Sequence, residues 1–274
     1  MSFYDQTLGM LTGATIPSSK TSTLWSLGKI LTYKTRVHDE NEGSIEEITG
    51  TCIATQVAEQ PTPDTEVMEV IVKIKIQLTP WDNPDIQTIS SEAWREIENL
   101  EELTKAECSS TPRLIEYFSY KQHNQMYCPG GYIVFIVMEK VPGHDLQNFE
   151  ALPLEERDSV RIAFIRALWE FTEQGFVHED PRRENIIWDK ASQRCVIVDL
   201  EDVWNMELPK GGNITLDPVN ELSLWWLNSG VAQPVDGHSM DDPMMPEPRK
   251  EGWTFNSLEE AVAFLQSGRG ISLS

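Results

Sequence analysis

The chain has 274 residues, 44 of them acidic and 22 basic, for a net charge of −22 at pH 7. A surface this acidic repels phosphate backbones and anionic bilayers, so nucleic acid and membranes are poor candidates as partners. At 40% hydrophobic and 24% charged residues the composition is that of a globular protein, long enough for one large domain or two lobes.

No apolar run reaches the roughly 18 residues of a membrane span. The opening Met1-Ser2-Phe3-Tyr4-Asp5 has neither the basic nor the apolar region of a secretory signal, and a cytoplasmic location is expected. Cys52, Cys108, Cys128 and Cys195 are scattered with no zinc spacing, which fits free thiols in a reducing compartment.

Residues 1–29 carry few periodic apolar positions and read as an N-terminal extension. Strands are expected over 30–37, 51–58 and 66–78, the last with Val67, Val70, Val72, Ile74 and Ile76. The acidic stretch 39–47 and the Pro61/Pro63 segment read as connections. Ser91 is a plausible cap for a helix over 92–104, and strands follow over 113–120 and 132–138. Residues 30–138 therefore read as a five-stranded antiparallel sheet with one main helix, and 139–143 as a hinge.

Beyond the hinge, 144–274 reads as mostly helical. Val160, Ala163, Phe164, Ala167, Leu168 and Phe171 fall at three- and four-residue spacing in a helix over 154–174, which Gly175 ends. Two short strands over 186–188 and 195–198 flank a polar turn. A short helix is expected over 222–227, and Ser257 with Glu260 forms a capping box opening another to Leu265.

The chemistry concentrates in His178-Glu179-Asp180-Pro181-Arg182-Arg183-Glu184-Asn185, followed by a strand, a turn and a strand ending in Asp199-Leu200-Glu201. That layout can place a general base and two magnesium ligands together. Asp180 would accept or orient the proton of an attacking hydroxyl. Asn185 offers a neutral oxygen and Asp199 a carboxylate, both hard donors of the kind magnesium prefers. Arg182 either touches the transferred phosphoryl group or pairs, like Arg183, with surrounding acids. His178 reads as architectural, holding the backbone of the metal-binding loop. Glu201 reads either as a contributor near the metal or as a surface-loop residue.

Lys73 and Lys75 interrupt an apolar strand on one face, and a lysine buried there needs a partner or an anion. One of them, Lys73 before Lys75, would reach the α- and β-phosphates of ATP. Glu92 is the preferred ion-pair partner and Glu96 the next. By topology alone, adenine would lie against a hinge formed by Met138, Glu139 and Lys140. There is no Gly-x-Gly-x-x-Gly; Gly50 is the weak candidate for close approach to phosphate.

At these residues the chain resembles the protein-kinase-like superfamily, in particular its aminoglycoside and choline phosphotransferase branch, and more narrowly the fungal kinase-like proteins. The resemblance covers about residues 50–205. It rests on Val72-Lys73-Ile74, the Glu92 helix, Tyr132 through Gly143, His178-x-Asp180 through Asn185 with Ile187-Trp188-Asp189, and Val196 through Glu201. It implies an α+β bilobal fold that uses ATP and Mg2+ and transfers phosphate to a hydroxyl. By the same resemblance Asp180 takes the catalytic role, Asn185 and Asp199 the metal, and Lys73 the phosphates. The chain departs from protein kinases in having Asp199-Leu200-Glu201 for Asp-Phe-Gly, and no Ala-Pro-Glu follows.

The leading function is an ATP-dependent phosphotransferase acting on a small molecule; the acidity and Trp225, Trp226 and Trp253 would suit a cationic or aromatic acceptor, although those tryptophans read first as core or interface residues. The alternatives are a catalytically silent binding module, a cleft reused for non-phosphoryl chemistry, and an atypical protein kinase.

Overall fold

The computed structural model describes residues 8–40, 43–57, 68–82, 88–206, 215–228, 255 and 257–267. Two compact units emerge. The first comprises Met1–Glu101 and Arg113–Lys140, the second Glu102–Pro112 and Val141–Ser274. The first holds a curled antiparallel sheet with one helix and the second is largely helical, which is the α+β layout of a bilobal kinase-like fold.

The sheet of the first unit has six strands: β1 (Thr15–Pro17), β2 (Leu24–Glu40), β3 (Gly43–Val57), β4 (Glu69–Gln77), β5 (Leu114–Lys121) and β6 (Tyr132–Glu139). Their order is β1-β2-β3-β4-β6-β5. The expectation of five strands is corrected by β1, a three-residue strand ending in proline, too short to show an alternation. It and the start of β2 lie within residues 1–29. Residues 43–47, read as part of a connection, open β3; their charges hide the strand because Glu47 is itself buried.

The sheet curls until its edges meet. Glu116 on β5 accepts hydrogen bonds from Ser18 Oγ (2.6 Å), Thr21 Oγ1 (2.8 Å) and Trp25 Nε1 (2.6 Å), all from the β1–β2 side. Paired residues of an antiparallel sheet share a face. One face is apolar: Ile48, Cys52 and Ala54 of β3 stand opposite Ile76, Val72 and Val70 of β4, and Val72 and Ile74 stand opposite Val137 and Phe135 of β6. Trp25, Leu27, Phe118 and Leu8 complete this core. The other face is polar. Glu47, Thr49 and Thr51 stand opposite Gln77, Lys75 and Lys73.

Helix α1 (Ser91–Lys105) belongs to the polar face through Glu92 and Glu96. Its cap is Ser90 rather than Ser91: Ser90 Oγ accepts from Ala93 N–H at 3.2 Å. Glu92 in the first turn and Lys105 in the last complement the helix dipole.

In the second unit α2 (Leu154–Glu173) buries the expected stripe from Val160 to Phe171. Gly175, at φ 88°, stops it and donates its N–H to Thr172 O at 2.8 Å. A two-stranded sheet pairs β8 (Phe176–His178) with β11 (Val203–Asn205). A three-stranded sheet joins β10 (Arg194–Ile197), β9 (Ile186–Asp189) and β7 (His144–Asp145). Gly143 precedes β7 at φ 109°, and a Cβ there would lie 2.2 Å from the Trp188 carbonyl oxygen, so only glycine fits. Helices α3 (Pro218–Leu224) and α4 (Leu258–Gln266) follow, α4 capped by Ser257 Oγ on Glu260 N–H at 3.2 Å. The helix expected over 222–227 thus begins earlier, at Pro218, with Asp217 as its cap.

All four cysteines are free and buried, and burial raises the thiol pKa of each. No helix among the described residues is long and apolar enough to cross a membrane.

Candidate functional site

In the second unit the loop from β8 to β9 is shaped by backbone bonds. His178 closes β8, and its Nδ1 accepts the Asp180 N–H at 3.2 Å. The ring proton therefore sits on Nε2, 3.2 Å from the Val198 carbonyl, to which it donates. Burial lowers the pKa of this histidine and keeps it neutral, as both bonds require. His178 thus ties the start of the loop to the residue before Asp199. Val198 N–H donates to Asn185 O at 2.9 Å, tying the end of the loop to the same place.

Asn185 is buried, and its Nδ2 donates to the Asp180 carbonyl at 2.9 Å. The amide nitrogen is turned back into the loop, which leaves Oδ1 as the acceptor end. The Asp180 carboxylate takes Arg182 Nε at 2.9 Å and also Arg182 Nη2. Burial alone would lower the Arg182 pKa; the Asp180 carboxylate outweighs it and raises the pKa. Asp180, Arg182 and Asn185 are therefore brought together in one loop.

Asp199 follows β10 in the left-handed conformation, φ 64° and ψ 61°, a region that aspartate enters more readily than most side chains. The turn brings an Asp199 carboxylate oxygen within 4.8 Å of one from Glu201. Glu201 is buried, so its reading as a surface-loop residue is corrected.

Arg183 is fully buried. It pairs with Glu150 at 2.8 Å through Nη1 and donates to the Trp226 carbonyl through Nε at 2.8 Å and through Nη2. Trp226 is itself left-handed, at φ 59°. Trp225, weighed both as a core residue and as a platform for an acceptor, is a core residue, its ring 5.0 Å from Phe164 and 5.2 Å from His178. Trp253 lies outside the described residues.

In the first unit the polar sheet face carries a buried ionic network. Lys73 Nζ lies 2.5 Å from Glu96 Oε1. The preference for Glu92 as its partner is thereby corrected: Glu92 sits one helical turn, about 5.4 Å, before the level of Lys73. It meets His38 Nδ1 at 2.9 Å instead. Lys75 Nζ lies 3.4 Å from Glu47 Oε1 and 3.8 Å from Glu96 Oε2. The Lys75 side chain is 0% exposed and that of Lys73 10%, so Lys73 is the one of the two with solvent access.

Glu47 organises this network. Its Oε2 accepts Tyr132 Oη at 2.7 Å and Ser90 Oγ at 2.9 Å. Burial works to raise its pKa, but the Lys75 charge, the nearby His38 ring and the hydrogen bond from Tyr132 bring it down to about 2. Neither Glu47 nor His38 stands out in the sequence as a site residue. The signal was a second polar alternation, Glu47-x-Thr49-x-Thr51, in register with Lys73-x-Lys75-x-Gln77.

The hinge residues lie at the end of β6. Met138 is buried and pairs with Ile71 and Leu114, Glu139 N–H donates to Arg113 O at 2.9 Å, and Lys140 Nζ meets Glu69 Oε2 at 2.5 Å. The first unit ends at Lys140 and the second resumes at Val141. Gly50 lies within β3, paired with Tyr33 and Ile74, and the space a side chain would take is filled by Leu8. It is not an approach point for phosphate.

No protein-family model matches the chain, and no curated protein does. Among solved structures, the kinase PK-1 of Cydia pomonella granulovirus is similar over 63% of this chain, at 15% identity and a TM-score of 0.37. The match spans about half of that kinase, 52% of its chain.

Proposed function

We propose that this protein is a Mg2+- and ATP-dependent phosphotransferase that acts on a hydroxyl of a small molecule. The observation that carries the reading is the β8–β9 loop, in which one carboxylate, one guanidinium and one amide are held together and tied through His178 to Val198, the residue before Asp199. Magnesium-bound ATP supplies the phosphoryl group and the positive charge that neutralises it.

The donors fit that role. Asn185 Oδ1, Asp199 and Glu201 offer oxygen alone, the donor type of magnesium. In this reading Asp180 orients the acceptor hydroxyl and takes its proton late, since a loose transition state needs little early deprotonation. Arg182 pairs with Asp180 and can turn toward a phosphoryl oxygen. Lys73, paired with Glu96 yet reached by solvent, contacts the α- and β-phosphates, while Lys75 is confined to the network beneath. Lys34 and Arg36 of β2, opposite Thr49 and Glu47, continue the same face with positive charge in an otherwise acidic chain. Met138, Glu139 and Lys140 are proposed to contact adenine.

One observation favours a second reading, a nucleotide or metabolite binding module without transfer: Arg182 already occupies the Asp180 carboxylate with two donors. Titration calorimetry of ATP with and without magnesium, beside Asp199→Asn and Asp180→Ala, separates the two. The phosphotransferase predicts magnesium-dependent binding that Asp199→Asn loses and Asp180→Ala keeps, with ATP turnover on a panel of small-molecule alcohols lost in Asp180→Ala. Binding without turnover in the wild type supports the second reading. No ATP binding in any condition overturns the phosphotransferase and leaves of the second reading only a module for a metabolite other than ATP.

A further inference from the structure

We infer that His38 is a positioning residue whose imidazolium latches the first turn of α1 to the sheet and thereby sets Glu96 against Lys73. The inference deepens the phosphotransferase reading and rests on it for its consequence, though not for the latch itself.

His38 is buried near the end of β2, on the polar face. Its Nδ1 lies 2.9 Å from Glu92 Oε2 and its Nε2 lies 3.4 Å from Glu47 Oε1. A carboxylate faces each ring nitrogen: Glu92 at hydrogen-bond distance from Nδ1, and Glu47 at ion-pair distance from Nε2, which makes no hydrogen bond among the described residues, so the pair of them holds the ring as a cation mainly through charge. Glu47 in turn receives Ser90 Oγ, the same oxygen that caps α1 at Ala93 N–H. The start of α1 is therefore fastened twice to the sheet, through its cap and through Glu92. Glu96 follows one turn later on the same side of the helix, where Lys73 and Lys75 receive it.

The charged and titratable groups around the ring are Glu47 from β3 and Glu92 from α1, with Lys75 of β4 and Tyr132 of β6 reaching Glu47 from behind. Burial alone would lower the His38 pKa; the close contacts with Glu47 and Glu92 and their charges raise it instead, from 6.5 to about 9. For Glu92 the hydrogen bond from His38 is the largest influence, and its pKa falls to about 2; Glu47 also sits at about 2. Both carboxylates thus stay ionised while His38 titrates. A folded pKa above the ordinary value means that the latch stabilises fully below about pH 6.5 and that its contribution is lost as pH rises through about 9. Side-chain packing of the ring carries no such pH dependence.

The test compares the full-length wild type with His38→Gln by urea denaturation from pH 6 to pH 10, with Mg-ATP calorimetry at each pH. The stability difference between the two is expected to be largest at low pH and to close as pH passes 9. Mg-ATP affinity at pH 7.5 is expected to be about tenfold weaker in His38→Gln, with the two proteins converging at pH 10. Glu92→Gln, which keeps the ring and removes one carboxylate, should shift the stability profile of the wild type to lower pH, and it carries the test if His38→Gln does not fold. A stability difference that is constant with pH overturns the latch. A closing stability difference with equal Mg-ATP affinity in all three proteins overturns the positioning role. A closing stability difference with no nucleotide binding in any protein supports the latch and overturns the phosphotransferase reading instead.

Discussion

The β8–β9 loop and the polar face of the six-stranded sheet both gather charged groups, but by opposite means. In the loop, Asp180, Arg182 and Asn185 come from six consecutive residues and bond mainly to one another and to nearby backbone. On the sheet face, His38, Glu47, Lys73, Glu92 and Tyr132 come from β2, β3, β4, α1 and β6, and none is adjacent in sequence to another. A loop of the first kind can adjust one member at small cost. A network of the second kind is buried and held by ion pairs among its members, so the loss of one member leaves the others with fewer opposite charges in a medium that solvates charge poorly.

The largest effect should therefore come from Glu47→Ala. It leaves Lys75 without its 3.4 Å partner at 0% exposure and removes the acceptor of Tyr132 Oη and Ser90 Oγ. Breaking a buried pair from one side costs about 3–5 kcal/mol, measured here as lost stability to urea. Glu47→Ala combined with Lys75→Met should recover part of that loss, because the buried charge, left with Glu96 at 3.8 Å, goes with it. A single-variant loss under about 1 kcal/mol would place Glu47 with ordinary polar residues and erase the contrast.

Arg183→Ala sharpens the comparison from the other side, since Arg183 belongs to the loop yet is fully buried. Its removal leaves the Trp226 carbonyl without two donors and Glu150 without its partner. Hydrogen bonds from a charged donor are each worth about 1.5–3 kcal/mol, so a loss of about 2–3 kcal/mol is expected in the same urea measurement. A value near that of Glu47→Ala would show that burial, more than the number of elements joined, sets the cost.

The contrast also explains what could be read in advance. The closeness of Asp180, Arg182 and Asn185 was legible because the three fall within six residues and bond locally, and the α2 stripe was legible because helical periodicity is local. The first unit was legible as strands and a helix, but its strand count failed at Thr15–Pro17, where three residues hold no period. Its polar contacts depend on register. Nothing local distinguishes Glu92 from Glu96, and only the docking of α1 gives Glu96 to Lys73 and Glu92 to His38. For Trp225 a core role was legible from its size and apolar character, but its partner was not: an aromatic after a short helix does not announce that Phe164, some sixty residues earlier, packs against it.

The smallest effect is expected at Ser90, which stands between the two modes. Its Oγ makes a local contact, the cap on Ala93 N–H at 3.2 Å, and a distant one, the 2.9 Å donation to Glu47. Ser90→Ala should cost about 1 kcal/mol in urea denaturation if the cap dominates. Ser90→Asp separates the two contributions. Aspartate caps as well as serine does, so a purely local role predicts wild-type stability for this variant. In the network, however, the aspartate would put a second negative charge against the ionised Glu47 and could not donate to it, so Ser90→Asp should be no more stable than Ser90→Ala. Full stability in Ser90→Asp would make the start of α1 a self-contained cap and detach it from the buried charges of the sheet.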